Sequence, residues 1–185
     1  MEPMETDKDR GGWTEAEGRS LHTALLAGGW RVAVAESLTV GRVQVELGRW
    51  SGASGYFAGG LTCYAAEAKV RLLGADAAHV AEVNAVSARV AEEMACGVAR
   101  LFGCEVGLAT TGYAEPDAAR GVATPYAWVA VARAGDTRTE RVEGAGLDRT
   151  ALQAAVAAAV LRLLTQTLSA AAPPLQLNLV RTTAK

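Results

Sequence analysis

The chain has 185 residues, half of them apolar, and a formal net charge of −2. This length is enough for a single domain with a substantial core, and the near-neutral charge without a basic stripe argues against general nucleic-acid binding. Residues 1–12 are polar and lack the apolar core of a signal peptide. Since Lys and Arg interrupt the apolar runs, we expect no membrane-spanning segment, no membrane partner and a cytoplasmic location.

Cysteine and histidine, the residues that bind zinc and similar metals, are few in this chain. Cys63, Cys96 and Cys104 are odd in number and show no paired metal spacing, and His22 and His79 stand far apart in sequence. We therefore predict no metal site, and we expect the cysteines to be small buried residues in a reducing compartment.

Helices and strands alternate along the chain. Capping residues and glycines that bound periodic apolar segments predict helices over 14–28, 39–48, 67–73, 76–83, 87–102 and 148–168. Apolar runs predict strands over 30–36, 61–64, 105–110, 126–132 and 137–142, the last two as a hairpin. In the helix over 87–102, the spacing places Val90, Met94, Val98 and Leu101 on one buried face.

This order of elements predicts an α/β fold: a three-layer α/β/α sandwich with a mixed central sheet. We expect one domain over residues 13–169, between an N-terminal tail over 1–12 and a C-terminal tail over 170–185. Leu175 to Val180 alternates apolar and polar residues, which fits either an added edge strand or a loosely packed tail.

Ser37 lies where the first predicted strand turns into a helix. Such a turn offers free backbone N–H groups and the positive end of a helix dipole, which suit a phosphate or a nucleophile whose intermediate carries negative charge. The alternative is that Ser37 or Thr39 caps the helix, and this segment alone favours a cap.

A serine nucleophile needs a base, and the chain offers one lysine for that task outside its predicted tails. Lys69 follows the second strand, whereas Lys8 and Lys185 lie near the ends. A lysine whose pKa is lowered by burial can accept a proton, and an arginine cannot. The spacing alone nevertheless favours a solvated Lys69 and a core Tyr64.

A third segment, Thr111-Gly112, ends another predicted strand. Open sheets place ligands beyond the carboxyl ends of their strands, so this loop is expected near Ser37. Both residues equally fit a simple turn at the end of a strand.

Several linked motifs make the resemblance to a family specific. They are Ala35-Glu36-Ser37-x-Thr39-x-Gly41, Gly52-Ala53-Ser54-x-Tyr56-Phe57-x-Gly59-Gly60, Tyr64-x-x-Glu67-Ala68-Lys69, Leu72-Leu73-Gly74, Ala85-Val86-Ser87, Thr111-Gly112 and Asp148-Arg149. In this order, over about residues 14–168, they resemble the CinA C-terminal domain family, the nicotinamide-mononucleotide amidases.

The resemblance implies an amidohydrolase that converts nicotinamide mononucleotide to the nicotinate nucleotide and ammonia without a cofactor, usually as a homo-oligomer. It implies Ser37 as the nucleophile, Lys69 as its base, Tyr64 as a supporting hydroxyl and Thr111 as a residue that binds substrate or the intermediate. The residues implied in substrate binding are Glu36, Thr39, Gly41, Gly112 and Arg149.

The chain departs from the family pattern at positions expected to bind ligand. Leu38 and Val40 replace the cysteine and first glycine of Glu-Ser-Cys-Thr-Gly-Gly, and Gln153 replaces a frequent arginine. A glycine-rich loop is replaced by a bulkier segment with Tyr113, Glu115 and Asp117, whose acids would repel a phosphate unless Arg120 offsets them. A Ser/Lys amidohydrolase with another substrate, and a catalytically impaired binding or assembly protein, therefore remain alternatives.

Overall fold

The computed structural model describes residues 12–170. A five-stranded mixed sheet lies at its centre, with the strand order β2-β1-β3-β4-β5. The strands are β1 (Val32–Glu36), β2 (Phe57–Thr62), β3 (Val106–Tyr113), β4 (Tyr126–Arg133) and β5 (Asp136–Glu143). β1 is parallel to both of its neighbours, whereas β3, β4 and β5 pair antiparallel. Most of the two predicted tails, including Leu175 to Val180, lies outside the described residues.

Helices cover both faces of the sheet. They are α1 (Glu15–Gly28), α2 (Arg42–Gly48), α3 (Ala66–Leu73), α4 (Ala77–Glu82), α5 (Ala88–Phe102) and α6 (Arg149–Ser169), with short 3-10 helices over Ala53–Gly55 and Ala118–Arg120. α1, α2 and α6 pack on one face, and α3, α4 and α5 on the other. The predicted three-layer α/β/α sandwich is confirmed.

The central strand shows why two helical layers are needed. All five residues of β1 are buried. Val32 and Val34 contribute to the core under α1, α2 and α6, whereas Ala33 and Ala35 contribute to the core under α5. Successive strand side chains point to opposite faces, so an unbroken apolar strand is stable only when both faces are covered.

Local capping signals at the helix ends were informative. Thr14 and Glu17 form the expected capping box, and Asp76, Ser87 and Asp148 cap the starts of α4, α5 and α6 through their side chains. Each side-chain oxygen accepts a backbone N–H group that the helix itself cannot satisfy.

Three predicted boundaries were wrong. The turn after Ser37 delays α2 to Arg42, and β2 begins at Phe57 because Gly59 and Gly60 pair with β1. β3 continues to Tyr113, since Thr111 to Tyr113 pair with β4. In α5, Leu101 is 55% exposed, and the last turn packs Phe102 against the core instead.

One helix, α6, is longer and more apolar than the interruption of the apolar runs by Lys and Arg led us to expect. α6 has 21 residues and a mean hydropathy of 1.4. Its leucines and alanines form a long apolar run in which Arg162 is the one charged residue after Arg149. Since 56% of this run is buried against the rest of the domain, its composition is that of a core helix.

Candidate active site

Three elements bring the predicted reactive residues to one edge of the sheet. Ser37 directly follows β1, Lys69 lies in α3 after β2, and Thr111 lies in β3. Because β1 runs parallel to β2 and β3, their carboxyl ends meet at this edge. All three residues line a cavity of about 470 Å³, so the structure brings together segments that are distant in sequence.

The Lys69 side chain reaches Ser37. Lys69 Nζ lies 3.0 Å from Ser37 Oγ. Lys69 is 2% exposed and Ser37 is 7% exposed, so both lie largely out of solvent. This distance lies within the range for proton transfer between a nucleophile and its base. The lysine is therefore neither solvated nor directed away from the turn.

Two backbone carbonyls fix the orientation of the Lys69 amine. Nζ donates to Cys63 O at 2.8 Å and to Tyr64 O at 3.2 Å. A neutral amine has two N–H groups and one lone pair. When the two N–H groups bind these carbonyls, the lone pair is left for the Ser37 hydroxyl proton.

Burial lowers the pKa of Lys69 from 10.5 to about 8, and the charges of Cys63 and Glu67 partly oppose this shift. Desolvation has this direction because it disfavours the charged ammonium. At pH 7 a group with this pKa is neutral in about one molecule in ten. The site therefore holds a usable fraction of the base form near neutral pH.

Glu36 stabilises the turn that carries Ser37 through hydrogen bonds to its carboxylate. Its side chain is fully buried, and its carboxylate accepts hydrogen bonds from Thr39 Oγ1 at 2.6 Å and from the backbone N–H groups of Gly41, Val43 and Gln44. These amides form the start of α2, where a helix leaves donors without partners. Glu36 and Thr39 do not line the cavity, and Gly41 lines a separate groove, so their predicted substrate contacts have no support in this geometry.

Two backbone amides next to Ser37 have no hydrogen-bond partner within residues 12–170. The N–H groups of Leu38 and Thr39 make no hydrogen bond within residues 12–170, whereas Ser37 N–H donates to Thr110 O at 3.1 Å. Buried Gln153 donates from Nε2 to Leu38 O at 2.8 Å, which holds the turn against α6. Free amides next to a nucleophile are the usual donors of an oxyanion hole.

Thr111 and Gly112 both line the cavity, with different constraints. Thr111 Oγ1 donates its proton to Ala85 O at 2.7 Å, so its oxygen can accept a hydrogen bond from a ligand but its proton is already used. A Cβ atom at Gly112 would lie 2.6 Å from Ala127 Cα, so the strand has no room for a side chain at this position. Their roles toward substrate stay predictions.

Tyr64 takes a position that the sequence did not indicate. It is 57% exposed rather than part of the core, and its hydroxyl accepts a hydrogen bond from Arg149 Nη2 at 2.9 Å. The backbone of Tyr64, and not its hydroxyl, contacts Lys69. Arg149 also contacts Glu115 at 2.6 Å across the cavity mouth. A supporting role of the Tyr64 hydroxyl therefore remains a prediction that this arrangement does not favour.

Comparison with known proteins now identifies the family. A model described as the CinA C-terminal domain matches residues 15–168. The chain belongs to the CinA C-terminal domain family. The competence damage-inducible protein A from Klebsiella pneumoniae has a similar solved structure, with a TM-score of 0.76 and 29% identity over 83% of this chain and 96% of that one. A CinA superfamily protein from Escherichia coli has a TM-score of 0.76 and 26% identity over 90% and 94% of the two chains.

Curated CinA relatives are longer than this chain. A CinA-like protein from Mycobacterium sp. strain JLS is 47% identical over 50% of this chain and 22% of its own length. A CinA-like protein from Mycobacterium avium is 40% identical over 68% and 31%. The chain thus spans about a fifth to a third of the curated relatives it matches, and the match concerns this one domain.

One departure from the CinA motif has a visible structural effect. Val40 stands where the family has glycine, and it adopts a left-handed backbone with φ of 45° while its side chain is 50% exposed. This region is sterically unfavourable for a β-branched residue. The turn beside Ser37 is therefore under backbone strain that the family glycine would avoid.

Replacing Val40 by glycine is expected to raise the free energy of unfolding by about 1 kcal/mol, because relief of strain exceeds the added entropy of the unfolded chain. Thermal or urea unfolding measures this change. The matched control is Val45→Gly, at a 64% exposed position within α2, where the same substitution should lower stability by about 1 kcal/mol. Equal losses at both positions would contradict the strain at Val40.

Sequence reasoning missed the turn over Asn84 and Ala85, which lines the other side of the cavity. Both residues have positive φ, 49° and 60°, and Asn84 Nδ2 donates to Tyr113 OH at 3.1 Å. An asparagine between two helices is a weak signal for such a turn, because Asn tolerates this conformation better than most residues. Within residues 12–170, no group of three or more His, Cys, Asp or Glu residues has the arrangement of a metal site.

Proposed function

We propose that this CinA-family domain is an amidohydrolase with Ser37 as nucleophile and Lys69 as base. The observation that carries the proposal is the buried contact of 3.0 Å between Lys69 Nζ and Ser37 Oγ at the wall of an open cavity. The two carbonyls that hold the amine and the lowered pKa of Lys69 support its role as a proton acceptor.

The chemistry proceeds in two halves. Neutral Lys69 accepts the Ser37 proton as Oγ bonds to the carboxamide carbon, and the amide of Leu38, which lines the cavity, stabilises the oxyanion. The Lys69 ammonium then returns a proton to the amide nitrogen, the C–N bond breaks, and ammonia leaves an acyl group on Ser37. A water molecule, deprotonated by Lys69, attacks this ester and releases the carboxylic acid and the Ser37 hydroxyl.

The family resemblance supports nicotinamide mononucleotide as a substrate, whose hydrolysis gives the nicotinate nucleotide and ammonia. The cavity is large enough for a ligand of this class. A homo-oligomer in the cytoplasm belongs to the same proposal, and light scattering after size exclusion would test its assembly state.

The deciding experiment measures ammonia release from nicotinamide mononucleotide together with labelling of the protein by an acyl-type probe. We expect turnover, and a label that maps to Ser37 and is absent in Ser37→Ala. The control is Ser51→Ala, an exposed serine outside the cavity, which should label and turn over normally. Neither turnover nor labelling would contradict the proposal, whereas labelling of Ser37 without turnover would indicate another amide substrate.

A further inference from the structure

The charge of Arg149 is already balanced within the cavity. Arg149 is the one arginine among its lining residues within the described part of the chain, and Nη1 lies 2.6 Å from Glu115 Oε2. Nη2 donates to the Tyr64 hydroxyl at 2.9 Å. An arginine binds phosphate best when both edges of its guanidinium fork are free. Here Nη1 and Nη2 each have a protein partner already.

The other charged groups in and beside the cavity do not form an anion-binding site. Asp117 also lines the cavity, and its carboxylate is balanced by Arg120 at 2.8 Å. Lys69 is buried, and its amine is held by the two carbonyls and Ser37. Arg149 and Lys69 are the cations among the lining residues that the structure describes, and both have partners. A phosphate in this cavity would lie beside the Glu115 and Asp117 carboxylates and would find no unpaired cation among those residues.

Gln153 lies on α6 about one turn after Arg149 and adds no second positive charge to the cavity. Gln153 is neutral, 6% exposed and bound to Leu38 O, and it does not line the cavity. It therefore supplies a contact to the turn and no charge to the cavity.

We propose that Glu115 sets the charge specificity of this site, so that it favours carboxamide substrates without an anionic phosphate. The preferred class is the nucleoside form of a nicotinamide-type amide rather than its 5′-phosphate. This inference rests on the proposed amidohydrolase function and concerns which amide the Ser37 turn accepts. Glu115 acts by occupying Arg149 and by repelling a second anion.

The test compares kcat/KM for nicotinamide riboside and nicotinamide mononucleotide. Wild type should favour the riboside, and Glu115→Gln should shift the ratio toward the mononucleotide by about tenfold, a shift that added salt reduces. Glu140→Gln, at an exposed site on β5, is the control and should leave the ratio unchanged. An unchanged ratio in Glu115→Gln, or a wild type that favours the mononucleotide, would overturn the inference.

A binding measurement separates this inference from the proposed function. If neither amide is hydrolysed, the amidohydrolase function has failed, and calorimetry with ribose 5-phosphate and ribose still tests Glu115. We expect Glu115→Gln to bind the phosphorylated sugar about tenfold more tightly than wild type does, with no change for ribose. Equal affinity of both proteins for ribose 5-phosphate would overturn the role of Glu115. Because Glu115 is largely exposed, the variant should keep the wild-type melting temperature.

Discussion

Replacing Lys69 by methionine is expected to lower kcat for amide hydrolysis by about 10³-fold or more. Methionine is unbranched and of similar length, so it fills the same buried channel between α3 and the Ser37 turn. It removes the lone pair that would accept the Ser37 proton, and it removes the proton needed by the departing ammonia. Steady-state ammonia release, measured with protein of verified secondary structure, gives the change in kcat.

The matched control for this variant is Arg71→Met on the same helix. Arg71 is exposed and does not line the cavity, so its loss should leave kcat within about twofold of wild type. If Lys69→Met kept more than a tenth of the wild-type rate, Lys69 would not be the base. Partial rescue of Lys69→Ala by small primary amines would show that the amine itself, rather than the packing of the side chain, is needed.

The pH dependence of kcat/KM should differ between the wild type and Lys69→Met. Activity requires neutral Lys69, so kcat/KM of the wild type should rise about tenfold per pH unit below pH 8 and level off above it, in line with a pKa of about 8. The residual rate of Lys69→Met should lack this rise. A flat wild-type profile between pH 6 and 8 would argue against a lysine base.

The free energy of unfolding should also depend on pH through the titration of Lys69. In the unfolded chain Lys69 stays protonated up to about 10.5, whereas the folded protein releases this proton above about 8. Between these values the unfolded state binds more protons, so stability rises with pH, and below pH 8 the cost of burying the charge is constant. The free energy of unfolding of wild type relative to Lys69→Met should therefore increase by about 3 kcal/mol from pH 7 to pH 10.5.

The three-layer fold could be predicted from the sequence for a physical reason, and so could the convergence of the Ser37, Lys69 and Thr111 segments at one edge of the sheet. Apolar strands that alternate with capped helices must bury both sheet faces, and parallel strands end at one edge. This logic brought Ser37, Lys69 and Thr111 together without knowledge of any distance. It could not show that Lys69 is buried, because burial depends on how α3 packs after β2.

Other features of the site depend on contacts between distant parts of the chain. The ion pair of Glu115 with Arg149 joins residues 34 positions apart, and the hydrogen bond from Gln153 to Leu38 joins residues 115 positions apart. The hydrogen bond from Arg149 to the Tyr64 hydroxyl joins residues 85 positions apart. No local pattern of apolar and polar residues predicts such long-range contacts. Glu115 and Gln153 were nevertheless noticeable in the sequence, because both depart from the family motif.

Glu36 is the clearest example of a residue whose motif was recognised while its physical role was not. The family resemblance implied contact with substrate, but the side chain turns inward and accepts three backbone N–H groups of the α2 start together with the Thr39 hydroxyl. Buried donors that lose their acceptor retain the full cost of desolvation. The turn that carries Ser37 therefore depends on Glu36 for its shape.

Replacing Glu36 by alanine should lower the free energy of unfolding by about 3–5 kcal/mol, since the N–H groups of Gly41, Val43 and Gln44 lose their common acceptor. Urea unfolding measures this loss, and Glu46→Ala, which removes a partly exposed α2 carboxylate paired with Arg49, should lower it by about 0.5 kcal/mol or less. Ammonia release should also fall in protein that remains folded, because the Leu38 amide loses its fixed position beside Ser37. A loss of stability below about 1 kcal/mol would mean that water can replace the carboxylate, and that the turn holds its shape through Thr110 and Gln153 instead.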